Sequence, residues 1–188
     1  MAADEWVPTA IEGVVRRRLM AHGDDRGTFQ ELWRAGWTEA LSSAPFVQAN
    51  LSRTKPGVLR GMHFHLRQSD LWVVVEGSAV VALADLRGAT ADPGWRPLVE
   101  LFDLVAGEAL FIPARVAHGF YSPADLSLVY LVTREFDGTD EHGFASHDPL
   151  AAIPWPVTNP ILSARDRANP PLTDIVATLL GQPQSSGT

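Results

Sequence analysis

Two histidines one residue apart, His63 and His65, stand in the stretch VLRGMHFHLRQSDLWVVVEG (58–77), with Arg60 just before them and Asp70 just after. At the start of a β-strand, alternation sends both imidazoles to one face and Met62 and Phe64 to the other. Two imidazoles beside a carboxylate can perform acid–base chemistry or hold a metal ion, and these residues alone leave both open. From His63 the spacing runs His-x-His, four residues, Asp70, six residues and Gly77; further on, Gly107 is followed by five residues, Pro113 and then His118. His63, His65, Asp70 and His118 together offer three imidazoles and one carboxylate, a set suited to one divalent transition metal such as Fe, Mn, Ni or Zn. The plainer alternative is that these side chains decorate a barrel mouth without metal.

Such side chains converge only if short strands carry them. β-type runs recur at Leu71–Val75, Ser78–Asp85, Leu98–Leu104, Ala109–Pro113 and Leu126–Thr133. Turn signals separate them at Glu76-Gly77, Asp92-Pro93-Gly94, Ala106-Gly107 and Ser122-Pro123. This punctuation predicts an all-β sandwich, jelly roll or barrel. Helical patterning is sparse: Thr38–Ser42 is one candidate and Leu172–Leu180, with Thr173-Asp174 as its N-terminal signal, is another. The prolines at 154, 156, 160, 170 and 171 mark Ala151–Pro171 as irregular chain wrapping the β core. The reading is one domain over residues 1–180, followed by a polar, disordered tail at 181–188.

Composition excludes several classes. The 188 residues carry a net charge of −7 with 46% apolar residues, so no basic stripe suits a nucleic-acid backbone. No apolar run approaches the roughly 18 residues of a membrane span, and the acidic start lacks a secretory h-region, so a cytoplasmic protein is expected. The absence of cysteine removes thiolate nucleophiles and disulfides. Fourteen arginines stand against one lysine, Lys55.

The two histidine motifs resemble those of the cupin superfamily, with Asp70 for the more usual Glu, Arg115 where Gly is common and Ser122 where Asn is common. A closer likeness lies in Leu59-Arg60-Gly61-Met62-His63-Phe64, Ala84-Asp85-Leu86-Arg87, Ile112-Pro113, Ala117-His118-Gly119-Phe120 and Leu162-Ser163-Ala164-Arg165-Asp166. Gly23–Phe29 with Glu31, Phe46-Val47-Gln48 with Asn50, His147-Asp148-Pro149 and Ile153-Pro154-Trp155-Pro156 extend it. Together, over roughly Gly23–Pro171, they resemble the dTDP-4-dehydrorhamnose 3,5-epimerases.

That resemblance implies a cupin-type jelly roll (a double-stranded β-helix barrel) with a few short peripheral helices, usually a homodimer, working without a cofactor. It implies epimerisation at C3, C5 or both, α to the C4 ketone of a dTDP-4-keto-6-deoxyhexose. His63 matches the base, and an imidazole's ordinary pKa near 6.5 suits that task. Asp166 matches the carboxylate that orients it, and Tyr130 the acid. Arg26, Glu31, Gln48, Asn50, Arg60 and His118 fall where the family holds the nucleotide and sugar. Phe136 falls where an aromatic ring stacks on the base, and Glu141 and Arg165 at further ligand contacts.

The chain departs from the family beside the base. Asp70 stands where a lysine supports the enolate oxygen, and His65 where Gln is common. An ionised carboxylate about 4 Å from an enolate costs on the order of 4 kcal/mol at an effective dielectric near 20, roughly a thousandfold in rate. Three compensations are conceivable: His65 protonated and paired with Asp70, Arg67 swung into the vacated place, or a metal on His63, His65, Asp70 and His118 as Lewis acid. Two further readings stand beside the epimerase: a metal-dependent dioxygenase or isomerase, and a sugar-nucleotide binding protein without activity.

Overall fold

The computed structural model describes residues 5–90 and 92–180, so the expected tail at 181–188 lies outside the described residues. The strands are β1 (Val7–Pro8), β2 (Val15–Arg18), β3 (Ala21–Asp24), β4 (Gly27–Gln30), β5 (Gln48–Thr54), β6 (Leu59–Phe64) and β7 (Asp70–Glu76). They continue through β8 (Ser78–Asp85), β9 (Leu98–Val105), β10 (Glu108–Ile112), β11 (Val116–Tyr121), β12 (Leu126–Val132) and β13 (His142–Gly143). A six-stranded sheet runs β1-β2-β10-β7-β12-β5 and a five-stranded sheet β13-β6-β11-β8-β9, while β3 and β4 pair as a separate hairpin. The result is the expected jelly roll.

Alternation along each strand assigns its side chains. On β7, Trp72 and Val74 join Leu110, Ile112 and Leu128 of the same sheet and meet Val81, Leu83, Val116 and Phe120 of the other. The intervening Leu71 and Val73 point outward against Leu19, Phe46, Phe111 and Leu131. Both faces are therefore covered, which is why β7 reads as an apolar run. The outer face of the five-stranded sheet, with Met62, Phe64, Ala82, Ala84 and Ala117, is closed by Phe144, Ala151, Ile153, Trp155, Leu172 and Val176. The proline-rich segment thus wraps the core as expected.

The helices differ from expectation. In place of Thr38–Ser42 there is a single turn, α1 (Ala35–Thr38). Beyond it the Ala44 N–H donates to Ser42 Oγ at 3.1 Å, and Pro45 disfavours helical backbone at the residue before it. The second helix starts at Leu172 but is capped by Pro171 rather than signalled by Thr173-Asp174, and α3 (Leu172–Ile175) loosens into a π-helical turn at Val176–Leu180. α2 (Ala164–Arg167) was not anticipated. No helix among the described residues is long and apolar enough to cross a membrane.

Candidate functional site

The pocket lies between the sheets. Its volume, about 250 Å³, is several times the roughly 30 Å³ a water occupies in the liquid, so it suits a small ligand rather than one bridging water. β6 and β11 supply Arg60, His63 and His118 from the five-stranded wall; β7 and β12 supply Asp70, Trp72 and Tyr130 from the six-stranded wall. Trp72 stands edge-on to both His118 and Phe120, with ring centroids 5.2 and 5.6 Å apart, and so fixes the pocket's inner end.

The histidine motif closes β6 rather than opening a strand, because β6 already begins at Leu59 and His65 follows its last residue. A bulge sits just before the motif: His118 pairs with His63 but Phe120 with Arg60, so β6 holds one extra residue. Gly61 absorbs it at φ +131°, and a Cβ there would lie 2.7 Å from the Gly119 Cα. The bulge reverses the alternation. Arg60 and His63, three apart, therefore share the pocket wall, while Leu59 and Met62 share the outer core.

His63 and Asp166, far apart in sequence, meet at 2.6 Å through Nε2 and Oδ1. α2 delivers the carboxylate: Ser163 caps it, its Oγ accepting the Asp166 N–H at 3.0 Å. Burial alone would raise the Asp166 carboxyl, yet the hydrogen bond and charge of His63 hold it below its ordinary value. Among the described residues nothing hydrogen-bonds His63 Nδ1, which leaves one ring nitrogen for a ligand.

His65 and His118 are held differently. His65 Nδ1 lies 2.6 Å from the Asp140 carbonyl and His118 Nδ1 lies 3.1 Å from the Val116 carbonyl. A carbonyl only accepts, so in each neutral ring Nδ1 carries the hydrogen and Nε2 keeps a bare lone pair. Burial, then the charges of His65 and His63, push His118 well below its ordinary value, so it is neutral near pH 7. Asp70 lies 3.7 Å from His65 Nε2 and accepts from Gln68 Nε2 at 3.3 Å. Burial outweighs both partners and lifts its carboxyl to about 6. Burial also raises the Tyr130 phenol, with the Asp70 and Glu141 carboxylates adding to the effect, so it stays protonated.

Of the other residues anticipated for binding, Glu141 and Arg165 line the pocket and pair with each other at 2.8 Å. Gln48 and Asn50 sit on β5, where Gln48 donates to Asn50 and accepts from the Phe136 N–H, so these three hold one another beside the pocket rather than in its lining. Arg26 lies on the exposed β3–β4 hairpin, bonded to Asp24, and Glu31 follows it, paired with Arg34; neither lines the pocket. Arg67 does not fill the place vacated by the lysine, because its head lies by Thr139 and Asp140 outside this pocket. Lys55 is exposed at the β5–β6 turn and does not line it either.

Several contributors escaped the sequence reading. Ser52, Trp72 and Leu128 line the pocket two residues from Asn50, Asp70 and Tyr130, a step that alternation could have supplied. Asp140 had no such signal. Its carboxylate accepts the Leu66 and Arg67 N–H groups at 2.8 and 3.0 Å while its carbonyl fixes His65. Arg115, where the motif often has Gly, takes φ +65° and donates its N–H to the His65 carbonyl at 2.7 Å, so the left-handed turn survives without the glycine.

Residues 8–174 match the profile of the dTDP-4-dehydrorhamnose 3,5-epimerases. The chain is 34% identical to the spore coat polysaccharide biosynthesis protein SpsL of Bacillus subtilis, over 77% of this chain and 96% of that one. The fold overlays NovW, a 4-keto-6-deoxy sugar epimerase from Streptomyces spheroides, with TM-score 0.82 and 30% identity, covering 96% of this chain and 95% of that one. It also overlays RmlC from Legionella pneumophila, solved with dTDP-4-keto-L-rhamnose, with TM-score 0.81 and 30% identity, covering 96% and 99%. On the extent of these matches, the chain belongs to the dTDP-4-dehydrorhamnose 3,5-epimerase family.

Proposed function

We propose that the pocket between the sheets epimerises a dTDP-linked 4-keto-6-deoxyhexose, with His63 as base, Asp166 as its orienting partner and Tyr130 as acid. The observation that carries this reading is that His63, held by Asp166 of α2, stands on one sheet and Tyr130 on the facing sheet of the same pocket. Epimerisation takes a proton from one face of a carbon and returns one to the other, so it needs proton carriers on opposite sides. The C–H bond α to the ketone breaks, its electron pair passes into the enolate, and the proton goes to His63 Nδ1. Asp166 steadies the imidazolium. Tyr130 then protonates the opposite face; solvent restores the phenol and takes the proton from the imidazolium, which closes the cycle.

Arg60 and Arg165 supply positive charge for the diphosphate, while Gln48, Asn50 and Phe136 lie at the side where the nucleotide leaves the pocket. His65, Asp70 and His118 line the end that receives the sugar. Arg26 and Glu31 are supplied across a homodimer, for which the exposed hairpin and its Phe29, 65% accessible, provide a surface. The proton transfers need no redox cofactor. The protein is assigned to the cytoplasm, where nucleotide sugars are made; light scattering and cell fractionation test the assembly and the compartment.

The test is NMR of dTDP-4-keto-6-deoxyglucose incubated with the protein in D₂O. Deuterium enters C3, C5 or both with the native chain, and the rate falls about 10²–10⁴-fold in His63→Ala. No incorporation by the native chain while dTDP still binds would replace this reading with a binding protein.

A further inference from the structure

His65, Asp70 and His118 converge in the pocket, with His65 Nε2 3.7 Å from Asp70 Oδ2. The three residues are buried, and one donor atom from each lies within 4.8 Å of the others. We propose that they form a three-ligand site for one divalent transition-metal ion, separate from the His63–Asp166 pair.

Three features of the geometry support it. Both rings spend Nδ1–H on backbone carbonyls, of Asp140 and Val116, which fixes the tautomer that presents Nε2. Metal-bound histidines are held in this way, by a hydrogen bond from the nitrogen opposite the metal. Gln68 holds the Asp70 carboxyl by Oδ1, leaving Oδ2 toward His65 at 3.7 Å. That gap is too long for a hydrogen bond, so the buried carboxylate and the buried ring face each other without satisfying each other. Closing all three onto an ion at roughly 2.0–2.2 Å requires shifts on the order of half an ångström per side chain.

The donor set also selects the ion. Two imidazoles and one carboxylate with open positions suit Fe²⁺, Mn²⁺, Ni²⁺ or Zn²⁺ rather than Mg²⁺ or Ca²⁺. His63 is not a fourth ligand, because it lies outside the group of three whose donor atoms fall within 4.8 Å of one another. The metal site and the proton-transfer pair therefore coexist, although the sequence spacing made them compete for His63. Bound there, the ion supplies a Lewis acid and reverses the sign of charge that Asp70 presents to the pocket. The site stands on its own geometry; only that use of it rests on the epimerase reading.

The experiment is calorimetric titration of Ni²⁺ into the chelator-stripped, tag-free full chain, with no sugar nucleotide present, so its outcome is independent of the epimerase assay. One equivalent binds to the native chain. His65→Gln and Asp70→Asn, which keep side-chain size, each weaken binding by more than the ~10–100-fold typical of disturbing a ligand's hydrogen-bond partner. His63→Ala leaves the stoichiometry at one. Circular dichroism confirms that each variant is folded, and either of the two ligand variants suffices. Absence of stoichiometric binding, binding unchanged in a folded ligand variant, or binding lost in His63→Ala would each overturn the proposal.

Discussion

Two histidine–carboxylate pairs face the same pocket, from histidines two residues apart, and they are opposites. Asp166 meets His63 at 2.6 Å and its carboxyl sits below its ordinary value; Asp70 stands 3.7 Å from His65 and its carboxyl is lifted to about 6. Burial acts on both carboxylates in the same direction. It acts more strongly on Asp70, and the directed hydrogen bonding differs as well: a short bond to His63 for Asp166, one long contact from Gln68 for Asp70. The first pair is built to keep its anion and orient a base. The second is left wanting a cation.

The largest expected effect that sharpens this contrast is on rate. Asp166→Asn removes the anion that holds and steadies His63, and deuterium incorporation falls by roughly 10²-fold or more, approaching the His63→Ala loss. Asp70→Asn in metal-free protein moves the rate by less and does not slow it, since it removes a negative charge from beside the developing enolate. A larger loss in metal-free Asp70→Asn than in Asp166→Asn would break the contrast.

Stability against pH gives a smaller effect of opposite sign at the two sites. Because the folded Asp166 carboxyl sits below its unfolded value, its contribution is fully present above the ordinary carboxylate range near pH 4 and is lost as pH falls through the folded value. Asp70 is the reverse case. Its folded value near 6 lies above the unfolded one near 4, so the folded state holds the extra proton and metal-free protein loses stability as pH rises from about 4 to 6. Urea unfolding across pH checks both: Asp166→Asn flattens the acid limb, and Asp70→Asn removes the decline toward pH 6, the latter by about 3 kcal/mol.

The jelly roll was legible where strands are apolar on both faces, as in Leu71–Val75 and Ser78–Asp85. The sequence pattern does not mark β5 and β11 as strands and sets the histidine motif of β6 at a strand's start, because their pocket-facing positions carry Ser52, Arg60, His63 and His118. A functional lining erases the hydrophobic alternation that marks a strand. The same loss hid Ser52, while the bulge at Gly61 set a wall parity that no simple alternation encodes. Spacing brought out His63, His65, Asp70 and His118 but joined all four, because chain distance carries no sign of the Asp166 that holds His63 apart. Asp166 and Tyr130 were reachable only through the family resemblance, and Asp140 not at all, since it acts through its backbone carbonyl and loop N–H groups.

The central claim is that proton removal and return occur from opposite walls, and Tyr130→Phe in D₂O tests it most directly. Without the phenol, His63 still removes the proton and returns deuterium to the face it came from. The account predicts substrate recovered with deuterium at the exchanging carbon and its configuration retained, with inversion slowed about 10²-fold or more. Inversion by Tyr130→Phe at the native rate would contradict it.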